Sequence, residues 1–323
     1  MHEHDESFDC MGCRIRLLIG PALDPGAPAP AESARRAREW LHGFDLRLSR
    51  FRPDSELSEL NADTRTEVPA SPLLRAAVTA ALWGAERTCG LADPTLLPEL
   101  MTAGYRHTRA HATPAPLQDA LVEAPQRRAG GPSAAAAWRS VEVDDRAEAI
   151  RRPPGLALDL GGSAKGLAAD AVAGLLGHHS RFLVDCGGDL RAGGRAAAPF
   201  EVEVEHPLRP GRTHVLRMES GAVATSSLRR RIWRLPGGGH SHHLIDPRDG
   251  APAWSGLIAA TALADTALEA DVLAKAALLA GPLRGRELLS ARGGLLVHDS
   301  GRVELAGPLR GRPRLPADLR EAA

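Results

Sequence analysis

Apolar residues along this chain recur on two periods, and the switches between them outline its elements. From Ala34 onward, Ala34, Ala37, Trp40, Leu41, Phe44 and Leu48 return at steps of three and four, which predicts an amphipathic helix. A second helix starts at Ser71-Pro72, with Leu74, Ala77, Val78, Ala81 and Leu82 as its buried face and Gly90 as its stop. A third follows Ser163 as cap, with the stripe Leu167, Ala168, Ala171, Val172, Leu175 and Leu176; a fourth follows Asp265 as cap and runs through TALEADVLAKAALLAG. Strict alternation in FEVEVEHP and THVLRME predicts half-buried antiparallel strands. CRIRLLIG (13–20), WRSVEVDD, LALDLG, RFLVDCGGDLRAGG, GAVATSS, HHLIDP and LIAATALA read as further strands or strand ends. GGLLVHDSGRVELAG (about 294–307) closes the chain as a hairpin around Asp299, Ser300 and Gly301.

Between these elements, 49–62 is polar and broken by Pro53, and 92–108 reads as a loop with a short helix. Residues 110–137 are rich in Ala, Pro and Gly without a period, which reads as a mobile insertion and not a domain boundary. Strands outnumber helices and many neighbours pair as antiparallel partners. The expected fold class is therefore α+β: one unit of mixed or antiparallel β-sheets flanked by helices.

Composition narrows this picture. With 43% hydrophobic residues among 323, a full core is affordable, and five Trp, five Phe and one Tyr leave it mostly to Ala, Leu and Val. Forty basic and forty acidic residues cancel, which argues against a general basic face for nucleic acid or an anionic membrane. No apolar run reaches the length of a membrane span, and the opening MHEHDESFDC has none of the marks of a secretion signal, so the expected location is cytoplasmic. Cys10 and Cys13 have the spacing of a redox or metal pair, but no second pair completes a zinc site, and small residues at the mouth of a strand are the simpler reading.

Candidate chemistry gathers in a few places. In LDLGGSAKGLAAD (158–170), glycines stand between a strand and a helix, with Lys165 beside them. Glycines let backbone approach a ligand and a helix N-terminus attracts an anion, so Gly161-Gly162 is a phosphate site or a plain tight turn. It is neither a dinucleotide fingerprint nor a Walker loop. Asp159 would repel phosphate; it could serve ribose hydroxyls, a ring nitrogen or a metal, or cap a turn. His243, in HHLIDP, has the chemistry of a general base near neutral pH, with Asp246 three residues on. Asp271 shares a helix face with Ala274 and Lys275, as a metal ligand facing a phosphate or as a surface i,i+4 pair. Arg229, Arg230 and Arg231 could hold phosphate or form a solvated edge.

The order of these blocks resembles the ApbE family, the FAD:protein FMN transferases. SRFRPDSELSELN, ADPT, LDLGGSAKGLAAD, LVDCGGDL, AVATSS, HHLIDPRDG and TALEADVLA match its blocks in sequence, as does the early Met11-Gly12, so the resemblance covers about 10–281. It implies a single transferase unit over 1–323 that takes FAD as substrate and moves its FMN half to a Thr or Ser hydroxyl of a separate acceptor flavoprotein, such as a membrane redox component, with AMP released and Mg²⁺ assisting. Carried over by position, it implies His243 as the catalytic base. Met11, Phe51, Leu91, Ala92, Asp93, Asp159, Lys165 and Ile245 would bind FAD, and Gly162 and Asp271 would hold Mg²⁺.

One departure bears on the metal. The family usually has Thr four residues after this Asp, and here that residue is Lys275. Either an ion keeps fewer protein ligands and more waters, or Lys275 takes over part of its electrostatic role. Two other functions share the pocket: an FAD pyrophosphatase making FMN and AMP with water, and a non-catalytic FAD-binding member. A nicotinamide dehydrogenase is disfavoured, since no Rossmann fingerprint is present.

Overall fold

The computed structural model describes residues 3–195 and 199–308. The chain opens with the hairpin β1 (His4–Cys10) and β2 (Cys13–Ile19), followed by α1 (Pro30–Leu48), α2 (Glu56–Ala62), β3 (Glu67–Pro69), α3 (Pro72–Arg87), α4 (Leu97–Thr102) and α5 (Leu117–Glu123). Next come β4 (Glu142–Asp144), β5 (Ala149–Arg151), α6 (Ala164–Leu175), β6 (Arg181–Cys186), β7 (Asp189–Gly194), β8 (Phe200–Glu205), β9 (Thr213–Met218) and β10 (Gly221–Ser227). Then follow β11 (Ile232–Arg234), β12 (His240–His242), β13 (Leu257–Ala264), α7 (Ala267–Leu289), β14 (Gly294–His298) and β15 (Val303–Ala306). This is the expected α+β class.

Eight strands form one sheet in the order β1-β2-β6-β7-β10-β13-β14-β15, every neighbouring pair antiparallel. Spatial order follows chain order, so the helices and smaller hairpins are excursions from a single meander. Period-two alternation sends Val184 and Cys186 to one face and Leu183 to the other. The first face is covered by α1, α6 and α7; the second by the hairpin β8–β9, whose Phe200, Val202, Val204, Leu216 and Met218 cover Leu183, Ala192, Val223 and Leu295.

The helix face positions the site. The N-terminus of α7 crosses α6 so closely that a Cβ on Gly166 would sit 2.5 Å from the Ala267 carbonyl oxygen. Asp170 of α6 fixes that crossing: its two oxygens accept from the Ala267 and Leu268 amides at 2.8 and 2.9 Å, satisfying orphan donors of α7 from a neighbouring helix. Inside α7, Gly281 adopts φ 76° just before Pro282 and kinks the helix.

Several expectations need correction. The N-terminal residues, given no element above, form β1, with the half-buried alternation of an edge strand. SRFRPDSELSELNA contains α2, because Ser55 accepts from the Ser58 amide and restarts a helix past Pro53. LALDLG is no strand: the Leu158 backbone bonds to the side-chain amide of Asn61 in both directions, at 2.7 and 2.8 Å, and the Asp159 amide donates to the Pro94 carbonyl. Ser163 precedes α6 but makes no capping bond, and α7 is capped by Thr266, one residue past Asp265. The 110–137 segment carries α5 and is tied down, the Gly130 amide donating to Leu279, Arg128 to Trp254 and Ala115 to Ile232.

Cys10 and Cys13 face each other across the β1–β2 turn as free thiols. Burial pushes Cys10 up to about 12 and raises Cys13, so neither is a thiolate at neutral pH, as metal binding or redox exchange requires.

Candidate active site

A pocket opens where α3, α6 and α7 meet the segments after α3 and β12. Its walls bring together residues more than 180 apart in sequence. Leu91, Ala92 and Asp93 form one side, Asp159, Gly162 and Ser163 the floor, His243, Leu244 and Ile245 the opposite side, and Val272, Lys275 and Leu279 the α7 wall.

Local folding explains each placement. After α3, Cys89 and Gly90 adopt φ 52° and 84°, turning the chain sharply so that Leu91–Asp93 enters the pocket edge. Thr88 fastens this turn by accepting from the Ala92 amide at 2.9 Å. Asp93 accepts from both the Thr95 amide and its hydroxyl, at 2.8 and 2.6 Å; burial nevertheless raises its pKa. On the floor, Asp159 accepts from the Gly161 amide at 3.0 Å and pairs with Arg50 at 2.5 Å. It is therefore both a turn cap and an ion-pair partner.

Lys165 points back under α6 to the carboxylate of Asp189, which is 1% exposed. Burial works against its charge, but Asp189 and Asp271 outweigh it and hold its pKa above the ordinary value. Asp271 lies nearby with one oxygen 3.4 Å from the Gly166 amide; burial and the Asp189 charge raise its pKa, against Lys165 and Lys275. Neither Lys165 nor Asp271 lines the pocket surface; both stand directly behind it, one turn or less from residues that do.

The two adjacent histidines part company. His242 ends β12 fully buried against Trp254, ring centroids 4.9 Å apart, and burial drives its pKa down to about 3. His243 is in the pocket wall. Its Nδ1 faces the Arg231 carbonyl at 3.4 Å, an arrangement that leaves Nε2 as the acceptor. Burial, then the charge of Arg231, holds its pKa well below 6.5, so it is neutral at physiological pH. Asp246 does not orient it. That carboxylate accepts from the Gly131 and Arg248 amides at 3.0 and 3.1 Å and shapes the turn beyond.

Besides Lys165, two of the expected flavin residues lie outside this pocket. Phe51 belongs to an aromatic cluster with Tyr105 (5.4 Å, edge-on) and Trp233, which stacks on Tyr105 at 5.6 Å; Ile245 is shared by cluster and pocket. Met11 occupies the β1–β2 turn at φ 53°, an unusual conformation for its type, with Gly12 at 66°. The arginine run also divides: Arg229 pairs with Glu205 at the surface, whereas Arg231 borders His243 and Lys275.

Sequence reasoning missed Arg50, Asp189, Asp170 and Asn61 as members of this neighbourhood. All four stood inside the blocks singled out, but only the folded chain shows that Arg50 holds Asp159 and Asp189 holds Lys165.

Residues 11–297 match the model of the ApbE family. A protein of Escherichia coli K12 named FAD:protein FMN transferase is 28% identical over 298 residues, 89% of this chain and 81% of that one. One of the same name from Treponema pallidum is 31% identical over 288 residues, 83% of this chain and 76% of that one. The crystal structure of the ApbE protein from Thermotoga maritima shares the fold with TM-score 0.75 at 23% identity, over 94% of this chain and 97% of that chain. Flavin Transferase ApbE from Vibrio cholerae gives 0.72 at 23% identity, over the same shares. With a family match that spans the main sheet from β2 into β14, the chain belongs to the ApbE family.

Proposed function

We infer that this chain is an FAD:protein FMN transferase, acting on a Thr or Ser hydroxyl of a separate flavoprotein. Its relatives in Escherichia coli and Treponema pallidum carry that name. The observation that carries the reading is the pocket itself: a neutral histidine facing a glycine turn at a helix N-terminus, backed by Lys165 and Lys275. That pairing suits attack by a hydroxyl on a phosphate anhydride, where the nucleophile must lose a proton and the phosphates must be neutralised.

In this reading, the acceptor hydroxyl oxygen attacks the phosphorus of the FMN half. A phosphoester bond forms, the anhydride bond to the AMP phosphate breaks, and the hydroxyl proton passes to Nε2 of His243. AMP leaves with the bridging oxygen. Leu91–Asp93 and Ile245 would hold FAD, largely by backbone and apolar contact, with Asp159 fixed by Arg50 on the floor. Lys165 would neutralise phosphate from behind α6. Phe51 and Met11 would act from the rim, outside the cavity.

The resemblance also implies Mg²⁺ on the Gly162 carbonyl and the Asp271 carboxylate. The residues present do not fit an ion there. The Lys275 ammonium lies so close to Gly162 that even a Cβ at that glycine would collide with it. Among the described residues no three His, Cys, Asp or Glu side chains gather as a metal cluster.

The test is His243→Ala. FAD affinity is expected to stay within about twofold while FMN transfer falls by about 10²–10⁴-fold. Unchanged transfer would remove His243 from the chemistry. Free FMN in place of labelled acceptor, from the wild-type protein, would favour the pyrophosphatase.

A further inference from the structure

We propose that Lys275 is the built-in cation of this site: its ammonium stands where the divalent ion implied by the family would lie, and FAD binding and FMN transfer proceed without a divalent metal. This rests on the flavin-transfer reading above.

The first argument is position. Lys275 follows Asp271 by four residues on α7, so the two side chains share a face and lean toward the turn at Gly162. Nζ lies on the side of Gly162 where a side chain would start, and Cε would sit 2.9 Å from a Cβ there, so a larger residue at that position would have to push the flexible end of the lysine aside. The ammonium thus puts a positive charge beside the glycine whose carbonyl is implied as a metal ligand.

The second argument is the charge around it. Burial lowers the pKa of the Lys275 amine; the carboxylates of Asp159 on the floor and Asp271 on its own helix oppose that shift, Lys165 and Arg231 add to it, and Asp93 stands across the pocket. The carboxylates favour the charged form, and an anion brought beside the amine would favour it further. Two of the neighbouring cations are already committed: Lys165 pairs with Asp189 and Arg50 with Asp159. Among the described residues Lys275 makes no ion pair within 4.0 Å, yet it lines the pocket. It is the cation held ready for an incoming anion, and a pyrophosphate is the anion this pocket is read to receive. A divalent ion placed beside it would meet direct repulsion from the ammonium.

The experiment uses the full chain stripped with chelator, measured in EDTA and in millimolar Mg²⁺. FAD affinity is read by flavin fluorescence and calorimetry, and AMP release is followed with an acceptor peptide. For the wild type, affinity and AMP release are expected to agree within about twofold between the two buffers. Lys275→Met, which keeps the bulk, is expected to lose about tenfold or more in FAD affinity, with no rescue by Mg²⁺. Lys275→Thr is expected to lose as much in EDTA and to regain it in Mg²⁺; circular dichroism confirms that both variants fold. Wild-type affinity that collapses in EDTA and returns with Mg²⁺ overturns the proposal, as does Lys275→Met binding FAD like wild type. FAD bound equally in both buffers without AMP would sink the transferase reading while leaving the cation assignment supported. No FAD binding in either buffer would sink both.

Discussion

The two faces of the main sheet are made from the same alternating strands, yet their covers obey different rules. Beneath β8–β9 the interface is mainly apolar: Val202, Val204, Leu216 and Met218 meet Leu183, Ala192, Val223 and Leu295, with the buried His214 at its edge. Beneath α6 and α7, the same sheet supports an apolar bed of alanines and leucines, but Lys165, Asp189, Asp271 and Lys275 are set into it. A buried charge is costly unless paired, so a region that keeps two buried carboxylates and two half-buried lysines near one another does so against its own stability. The hairpin face holds the molecule together; the helix face holds charge ready for a ligand.

Substitutions on the two faces should therefore separate. The largest effect is expected from His243→Ala, described above, which removes transfer and leaves the melting temperature nearly unchanged. Next, Asp189→Ala leaves the Lys165 ammonium without its nearest carboxylate. Loss of a buried partner of this kind costs about 3–5 kcal/mol, read as a lowered denaturation midpoint together with weakened FAD binding. Leu216→Ala, on the hairpin face, should cost about 2–5 kcal/mol by the same measurement, with FAD affinity unaltered in the folded protein. If Leu216→Ala weakened FAD binding as much as Asp189→Ala, the division between the faces would fail.

Smaller effects sharpen the comparison. Asp170→Ala removes the acceptor that caps α7 from α6, worth about 1 kcal/mol, and should loosen the Asp271–Lys275 face enough to raise the KM for FAD. The pH response has a definite sign. His242 and His243 both have folded pKa values below 6.5, so above 6.5 neither state of the chain binds these protons. As pH falls through 6.5, the unfolded chain takes them up and the folded chain does not, so stability declines on the acid side. Transfer per folded molecule should hold through that window, because His243 stays neutral. A melting temperature that is flat down to pH 5 would contradict the burial of His242, and His242→Leu should flatten the decline if that residue causes it.

How much of this was legible in the sequence follows from what each segment bonds to. β8 and β9 were readable because each strand pairs locally and buries one face, so period two survives in the letters. α1 and α3 were readable for the same reason at period 3.6, and Ser71 caps as its type suggests. LALDLG was misread because its backbone is satisfied by Asn61, 97 residues earlier, and no local pattern records such a partner. The N-terminal strand was missed because an edge strand with charged outward residues resembles a polar tail. In the site, the glycine turn, His243 and the Asp271–Lys275 spacing were visible as candidates. Their convergence, and the ion pairs that commit Lys165 and Asp159 but leave Lys275 uncommitted, depend on contacts between distant segments.

The most direct test of the central claim is a quenched time course of the purified protein with FAD and a Thr-containing acceptor peptide. Chromatography follows AMP and FMN while mass spectrometry follows the peptide. The account predicts AMP appearing in step with an FMN-sized mass gain on the peptide, over many turnovers. FAD that stays bound and intact, or AMP with free FMN and an unmodified peptide, would contradict it.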